Sequence, residues 1–294
     1  MNSRGLKDLI AGKVMGALAI SSCAITLLII VALFVRSWDI LTLKPLSSLL
    51  FSSSWHPMEN QFGFSPFILG TFWVTGLAMI MAVPVCILTA VYLSEYVHPG
   101  MRDAIKSLID LLAGIPSVVY GVWGILMIVP LIKDHIAPAF GVSTSGYCVL
   151  AAGIVLAIMV LPVIISVISE VLQTIPQELK DASLSLGATK WQTIKHVVLR
   201  RALPGIVAAV ILGFSRAFGE TMAVLMVAGN VAKAPASIFD PAYPLPALIA
   251  NNYGEMMSIP SYDSALLLGA LILLIIIILF NVLARIVLAK IGSY

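Results

Sequence analysis

Six apolar runs, each long enough for one helical crossing of a bilayer, constrain this chain more than any other feature. A membrane helix needs about 20 mainly apolar residues to cross the hydrocarbon core, and the runs fall at residues 14–36, 67–93, 108–132, 148–169, 205–228 and 264–289. None shows the alternating pattern of a membrane β-strand. Composition agrees, since 60% of the residues are hydrophobic and only 11% charged, against about 25% charged in a soluble domain. The fold class read from this is all-α integral membrane, one transmembrane domain over residues 1–294 with six helices.

Arg4, Lys7 and Lys13 precede the first run, as in a signal peptide. The run is longer than the roughly 7 to 15 apolar residues of a cleavable signal and no small-residue cleavage site follows, so an uncleaved signal anchor is expected. Cys23, Cys86 and Cys148 each fall in a span with no paired spacing, and are read as buried small apolar side chains. The 4 histidines are scattered, so neither a metal site nor a cofactor is expected in this chain. With the N-terminus inside, the inner segments hold twelve Lys and Arg, while the outer ones hold only Arg36, Lys44, Lys133 and Lys233. That asymmetry sets both termini on the cytoplasmic side. It also accounts for the net charge of +3 without a nucleic-acid partner.

Three connections are long: 37–66, 170–204 and 229–263. The last carries Pro235, Pro241, Pro244, Pro246 and Pro260, a composition for an irregular outer surface that is either a spacer or a docking face. Segment 170–204 contains Thr174 with Gln177 and Thr189 with Gln192, both in capping-box spacing. Two short helices broken at Gly187 are expected. Leu179, Ala182 and Leu186 share one face of the first, and Trp191, Ile194 and Val198 one face of the second. Such a pair either lies on lipid headgroups or presents an apolar knob to another protein.

The fifth run holds Arg216 and Glu220 near its middle, in GFSRAFGETMAV. Each charge costs about 2.5 to 3.5 kcal/mol at the centre of a membrane helix on an insertion scale. On a continuous helix Ala209, Gly213, Arg216, Ala217, Glu220 and Ala223 share one face, with Phe214, Phe218 and Leu225 pointing away. Ala209, Gly213 and Ala217 form a small-xxx-small ladder for close helix approach. The i, i+4 spacing allows an Arg216–Glu220 pair, which is either a structural salt bridge or a guanidinium offered to an oxyanion and oriented by its carboxylate.

In GIPSVVYGVWG, residues 114–124, Gly114 and Pro116 interrupt the third run. Backbone groups freed there are tolerated only where protein or water meets them, and Ser117 and Tyr120 supply polar side chains. Pro84 and Pro162 mark bends in the second and fourth spans. No phosphate-binding G-x-x-x-x-G-K-[ST] occurs, since the one Gly-Lys, Gly12-Lys13, precedes Val14. The chain is therefore not expected to be an enzyme that hydrolyses ATP. An ATP-driven transporter with a separate ATPase, an ion-coupled secondary anion transporter and an oxyanion channel all use a buried Arg and Glu. Only the first uses a cytoplasmic loop with an apolar face.

Asp181, Ala182 and Ser183, then Gly187, Val197 and Leu199, resemble the loop by which membrane subunits of bacterial binding-protein-dependent ABC importers dock on their ATPases. Here Asp181 and Ser183 replace the usual Glu and second Ala, and Arg200 stands where the pattern has Pro. SRAFGETMAV and GIPSVVYGVWG further resemble the phosphate-specific importer, in the form of its PstC-like permeases. The resemblance implies a type I importer permease fold and translocation of inorganic phosphate, with phosphonate or sulfate as alternative cargo. It implies Arg216 and Glu220 in the substrate pathway, and Asp181, Ala182, Ser183, Gly187 and Trp191 in ATPase coupling. Its implied partners are a second homologous permease, two ATP-binding subunits and an external phosphate-binding protein, in the bacterial inner membrane.

Overall fold

The computed structural model describes residues 3–254 and 260–291. In chain order the elements are α1 (Ser3–Arg36), α2 (Trp38–Leu43), α3 (Leu46–Phe51), an antiparallel pair β1 (Trp55–His56) and β2 (Gln61–Phe62), α4 (Ser65–Glu95) and α5 (Pro99–Ala113). They continue as α6 (Ser117–Ala139), α7 (Val149–Gln173), α8 (Gln177–Ser185), α9 (Lys190–Phe218), α10 (Met222–Val227), α11 (Leu245–Asn252) and α12 (Pro260–Ile291). Among the described residues 6 helices, α1, α4, α6, α7, α9 and α12, are long and apolar enough to cross a membrane. The expected all-α architecture with six spans is therefore the observed one.

Helix α7 forms the centre. Ala78, Ala82, Cys86 and Ala90, spaced four apart on α4, are all buried and let the α4 backbone approach α7 closely. A Cβ on Gly153 of α7 would already stand 3.0 Å from Leu77. Within lipid, where association rests on packing, such small-residue ladders bring helices together. The expected ladder on α9 works in the same way: Ala209, Gly213 and Ala217 are buried, and a Cβ on Gly213 would lie 2.5 Å from Ile164 of α7. The opposite face does not look out at lipid, because Phe214 and Phe218 cluster with Phe72 and Phe280. Pro84 and Pro162 lie inside continuous helices, and Cys86 Sγ donates to the Leu161 carbonyl beside Pro162.

Two spans do not coincide with their apolar runs. Residues 108–113 belong to α5, an amphipathic helix carrying Arg102, Asp103, Lys106 and Asp110, and the third span begins only at Ser117. Pro116 lacks an N–H and disfavours helix at Ile115, so the expected interruption at Gly114 to Pro116 is a break between two separate helices. The fifth span begins at Lys190, inside the expected loop, with a π-helical turn at Ile194–Val198. The second short helix of that loop is thus the first part of α9. At the other end α9 stops at Phe218, and Gly219–Thr221 separates it from α10.

Thr174 does not cap α8. Its Oγ1 donates to the Val171 carbonyl at 2.7 Å, closing α7, and α8 starts after Pro176. The box at Thr189 and Gln192 is present with both reciprocal bonds. Cys23 is exposed on α1, whereas Cys86 and Cys148 are buried. The reason is that α1 lies at the periphery, with none of its apolar stretch buried within the chain.

The end of the molecule opposite α8 carries a second core. Trp55 packs on Phe62, Phe64 and Phe67, fixing the β1–β2 turn over the start of α4. Pro244 and Pro246 open α11, whose Leu245, Ala247 and Leu248 are buried. The Leu245 N–H donates to Thr71 Oγ1 at 2.9 Å, holding α11 on α4. The proline-rich connection is therefore folded in its described part. Residues 255–259, with Glu255, lie outside the described residues.

Candidate functional site

Arg216 sits in the last turn of α9, where unpaired carbonyls favour a cation. Beyond it the Glu220 N–H donates to the Ala217 carbonyl at 3.2 Å and the chain leaves the helix. Glu220 Oε1 then accepts from the Ala223 N–H at 3.3 Å, closing one of the free donors at the start of α10. The break thus gives Glu220 a backbone partner. Among the described residues the ion pairs are Arg102–Asp103, Lys106–Glu170 and Lys180–Glu95, and the expected Arg216–Glu220 pair is not formed. Its premise, one continuous helix through both residues, fails at Gly219. The small-residue ladder faces α7, with Arg216 exposed at its edge and Glu220 half-buried.

Helix α10 is pressed against α6. A Cβ on Gly121 would stand 2.5 Å from Met226 Sδ and 3.3 Å from the Ala223 Cα, and one on Gly124 would stand 2.9 Å from Val227. Both glycines of the GIPSVVYGVWG stretch thus permit this approach. Tyr120, one residue before Gly121, donates its hydroxyl to the Leu112 carbonyl at 2.8 Å, bridging α6 to α5 across the Gly114–Pro116 break. Ser117, three residues before Tyr120, is half-buried. The structure therefore places Ser117 and Tyr120 on one helix, α6, packed against α10, and Arg216 on α9 just before the break that leads into α10. Chemically, the site offers an exposed guanidinium with no ion-pair partner among the described residues, suited to bidentate hydrogen bonding of an oxyanion.

The residues to which the resemblance gives a coupling role lie at the turn between α8 and α9. Asp181, Ala182, Gly187 and Trp191 are exposed, and Ser183 is half-buried. Ser183 Oγ lies 2.9 Å from Thr193 Oγ1, tying the two helices together. Gly187 has φ +84°, a left-handed value that glycine takes without steric cost. Leu186 is 90% exposed and Trp191 53%, so the turn projects apolar surface. Ile194 and Val198 are buried, however, and do not share an outer face with Trp191.

Two contacts escaped sequence reasoning. Lys180 Nζ lies 2.6 Å from Glu95 Oε1, and both side chains are largely buried. Lys190 Nζ stands 4.5 Å above the Tyr96 ring, a cation–π contact. Both tie the α8–α9 turn to the end of α4. The one available signal was that all four residues flank the same end of their spans.

Residues 82–293 match the family described as binding-protein-dependent transport system inner membrane component. The chain is 38% identical over 259 residues to the phosphate transport system permease protein PstC of Xylella fastidiosa strain 9a5c, covering 83% of this chain and 79% of that protein. It is 34% identical over 237 residues to the probable phosphate transport system permease protein PstC of Methanocaldococcus jannaschii, covering 77% and 75%. Among solved structures, a chain of the bacterial alginate ABC transporter in complex with its alginate-bound periplasmic protein superimposes with a TM-score of 0.61 at 15% identity, covering 96% of this chain and 97% of that one. The MetNI methionine ABC transporter gives 0.53 at 20% identity, covering 76% and 91%. At these identities the two likenesses show the fold, that of a type I ABC importer permease.

Proposed function

Because this chain belongs to the binding-protein-dependent transport system inner membrane component family, we propose that it is the permease subunit of an ATP-driven importer of inorganic phosphate. The observation that carries the reading is the similarity to PstC over 83% of the chain, joined to an exposed Arg216 without an ion-pair partner among the described residues. Residues 1–294 act as one permease domain in the inner membrane, with both termini cytoplasmic by the charge asymmetry. The chain is a transport subunit and needs no cofactor of its own.

Arg216 meets the anion in the pathway, with Tyr120 and Ser117 on the facing helix. Glu220, held at the start of α10, keeps the local charge balanced so that cargo leaves as well as enters. A second, homologous permease completes the pathway. Two ATP-binding subunits grip the α8–α9 turn through Asp181, Ala182, Ser183, Gly187 and Trp191. An external phosphate-binding protein docks on the opposite end, over the β1–β2 turn and the segment before α11.

Labelled phosphate uptake in cells lacking this chain, with and without the chain restored, tests the reading. Uptake that returns with the chain and, in membrane vesicles, stops when vanadate is supplied on the ATP side supports it. Competition by sulfate or phosphonate at equal concentration assigns the cargo to another oxyanion, and vanadate-insensitive uptake makes the chain an ion-coupled carrier.

A further inference from the structure

Between Ser264 and Arg285, α12 carries a single polar side chain, Asn281. A lone amide within so apolar a helix finds its partners in protein. Asn281 Nδ2 donates to the Ile277 carbonyl one turn earlier at 2.9 Å and to Ser215 Oγ of α9 at 3.3 Å, which occupies both N–H groups of the amide. Ser215 is the residue before Arg216. Phe280, the residue before Asn281, meets the same part of α9, with its ring centroid 4.6 Å from that of Phe214 and 6.1 Å from that of Phe218. Phe72 of α4 closes the cluster, 5.3 Å from Phe218 and 6.0 Å from Phe280.

These contacts leave one flank of the end of α9 free. At about 100° per residue, Gly213 and Ala217 point to α7, Phe214, Phe218 and Ser215 turn towards α4 and α12, and Arg216 falls on the remaining flank with Leu212. Leu212 is 51% exposed and Arg216 is exposed too, so that flank is open. Where Arg216 points is therefore set by the rotation of one turn about its axis. That turn is the last of α9, because the helix stops at Phe218 and no following turn holds it. Packed rings tolerate several relative offsets, whereas a hydrogen bond between two side chains is directional and fixes which residues face each other.

We propose that Asn281 is a positioning residue for Arg216: through Ser215 it fixes the rotation of the last turn of α9 and so keeps the guanidinium on the open flank. This role rests on the reading that Arg216 meets the transported anion, and labelling at position 216 tests it separately from that reading.

Phosphate uptake per assembled complex is measured for Asn281→Leu, which removes the amide at similar size, for Ser215→Ala, which removes its acceptor, and for both together. Each single change is expected to lower uptake about fivefold, the equivalent of one lost hydrogen bond. The double change is expected to lower it no further, and Ser215→Thr, which keeps the hydroxyl, to stay near wild type. On an Arg216→Gln background Asn281→Leu is expected to add no loss. Position is read directly from an Arg216→Cys complex carrying Cys23→Ser, in which the remaining Cys86 and Cys148 are buried. Asn281→Leu is expected to slow its reaction with a charged, water-soluble thiol reagent several-fold, since rotation either way carries position 216 towards a packed neighbour. An unchanged labelling rate overturns the proposal. Where Arg216→Gln impairs uptake, unchanged uptake in Asn281→Leu, or the same fold loss repeated on the Arg216→Gln background, also overturns it. So does a loss in Asn281→Leu with normal uptake in Ser215→Ala, because the amide then serves a contact outside this chain. If Arg216→Gln itself transports normally, the anion-contact reading falls, and slowed labelling still supports the positioning role.

Discussion

Lys180 and Glu95 stand 85 positions apart in sequence, yet Lys180 Nζ lies 2.6 Å from Glu95 Oε1. The pair fastens α8, on which the proposed ATPase grip falls, to the end of α4, which packs along α7. A push on the turn therefore reaches the helix pair at the centre of the fold through a short, largely dry contact.

Lys180→Met leaves Glu95, whose side chain is 8% exposed, without its cation, at a cost on the order of 1 to 3 kcal/mol. Phosphate uptake per ATP hydrolysed is expected to fall while Lys180→Arg stays close to wild type. A double-mutant cycle with Glu95→Met on complex stability measures the coupling. Strict additivity shows that the contact transmits nothing.

Gly187 is required for its backbone and not for space. Its φ is +84°, and a Cβ there would meet nothing within 4 Å. Gly187→Asn is expected to keep coupling, since Asn tolerates left-handed φ. Gly187→Val is expected to cost roughly 1 to 2 kcal/mol locally and to reduce ATPase co-purification and uptake at unchanged protein level. Equal behaviour of the two variants contradicts this reading of the turn.

Gly121 and Gly124 are the converse case. A Cβ on Gly124 would stand 2.7 Å from Val155 and 2.9 Å from Val227, so Gly124→Ala overpacks the α6–α7–α10 junction by about 1 to 3 kcal/mol. Thermal unfolding of the complex is expected to shift down. Gly76→Ala on α4, whose Cβ meets nothing within 4 Å, is the control and is expected to be neutral or stabilising, given that Ala exceeds Gly in helix propensity by about 1 kcal/mol.

What the sequence made legible follows from length and local chemistry. Six spans need only apolar length, and the Gly187 turn and the Thr189–Gln192 cap are written within a few residues. The limits of the third and fifth spans were not legible, because hydropathy reports where residues are apolar and not where a helix starts. Leu108, Ile109, Leu111 and Leu112 are the apolar face of amphipathic α5, yet in sequence they run on into the next span. Helix α9 likewise begins among charged residues. The Gly219 break is concealed by apolar residues on both sides, which is why an i, i+4 ion pair looked natural. Lys180–Glu95 depends on tertiary packing that no local pattern records.

The break also changes what an exchange of charges tells. On one continuous helix, Arg216→Glu with Glu220→Arg preserves a pair. Here Glu220 Oε1 accepts from the Ala223 N–H, and an arginine at that position has no acceptor atom to replace it. The double exchange is therefore expected to leave uptake as low as the single changes do, with insertion and assembly intact. Full rescue points to a structural ion pair.

The most direct measurement of the central claim, that Arg216 contacts the transported anion, is phosphate uptake per assembled complex for Arg216→Gln. The substitution keeps a polar side chain with two N–H donors, in place of the five of the guanidinium, and removes the charge. Uptake is expected to fall at least about tenfold, the equivalent of one lost charge-assisted hydrogen bond, while the second permease and the ATPases still co-purify. Unchanged uptake in a fully assembled Arg216→Gln complex would contradict the account.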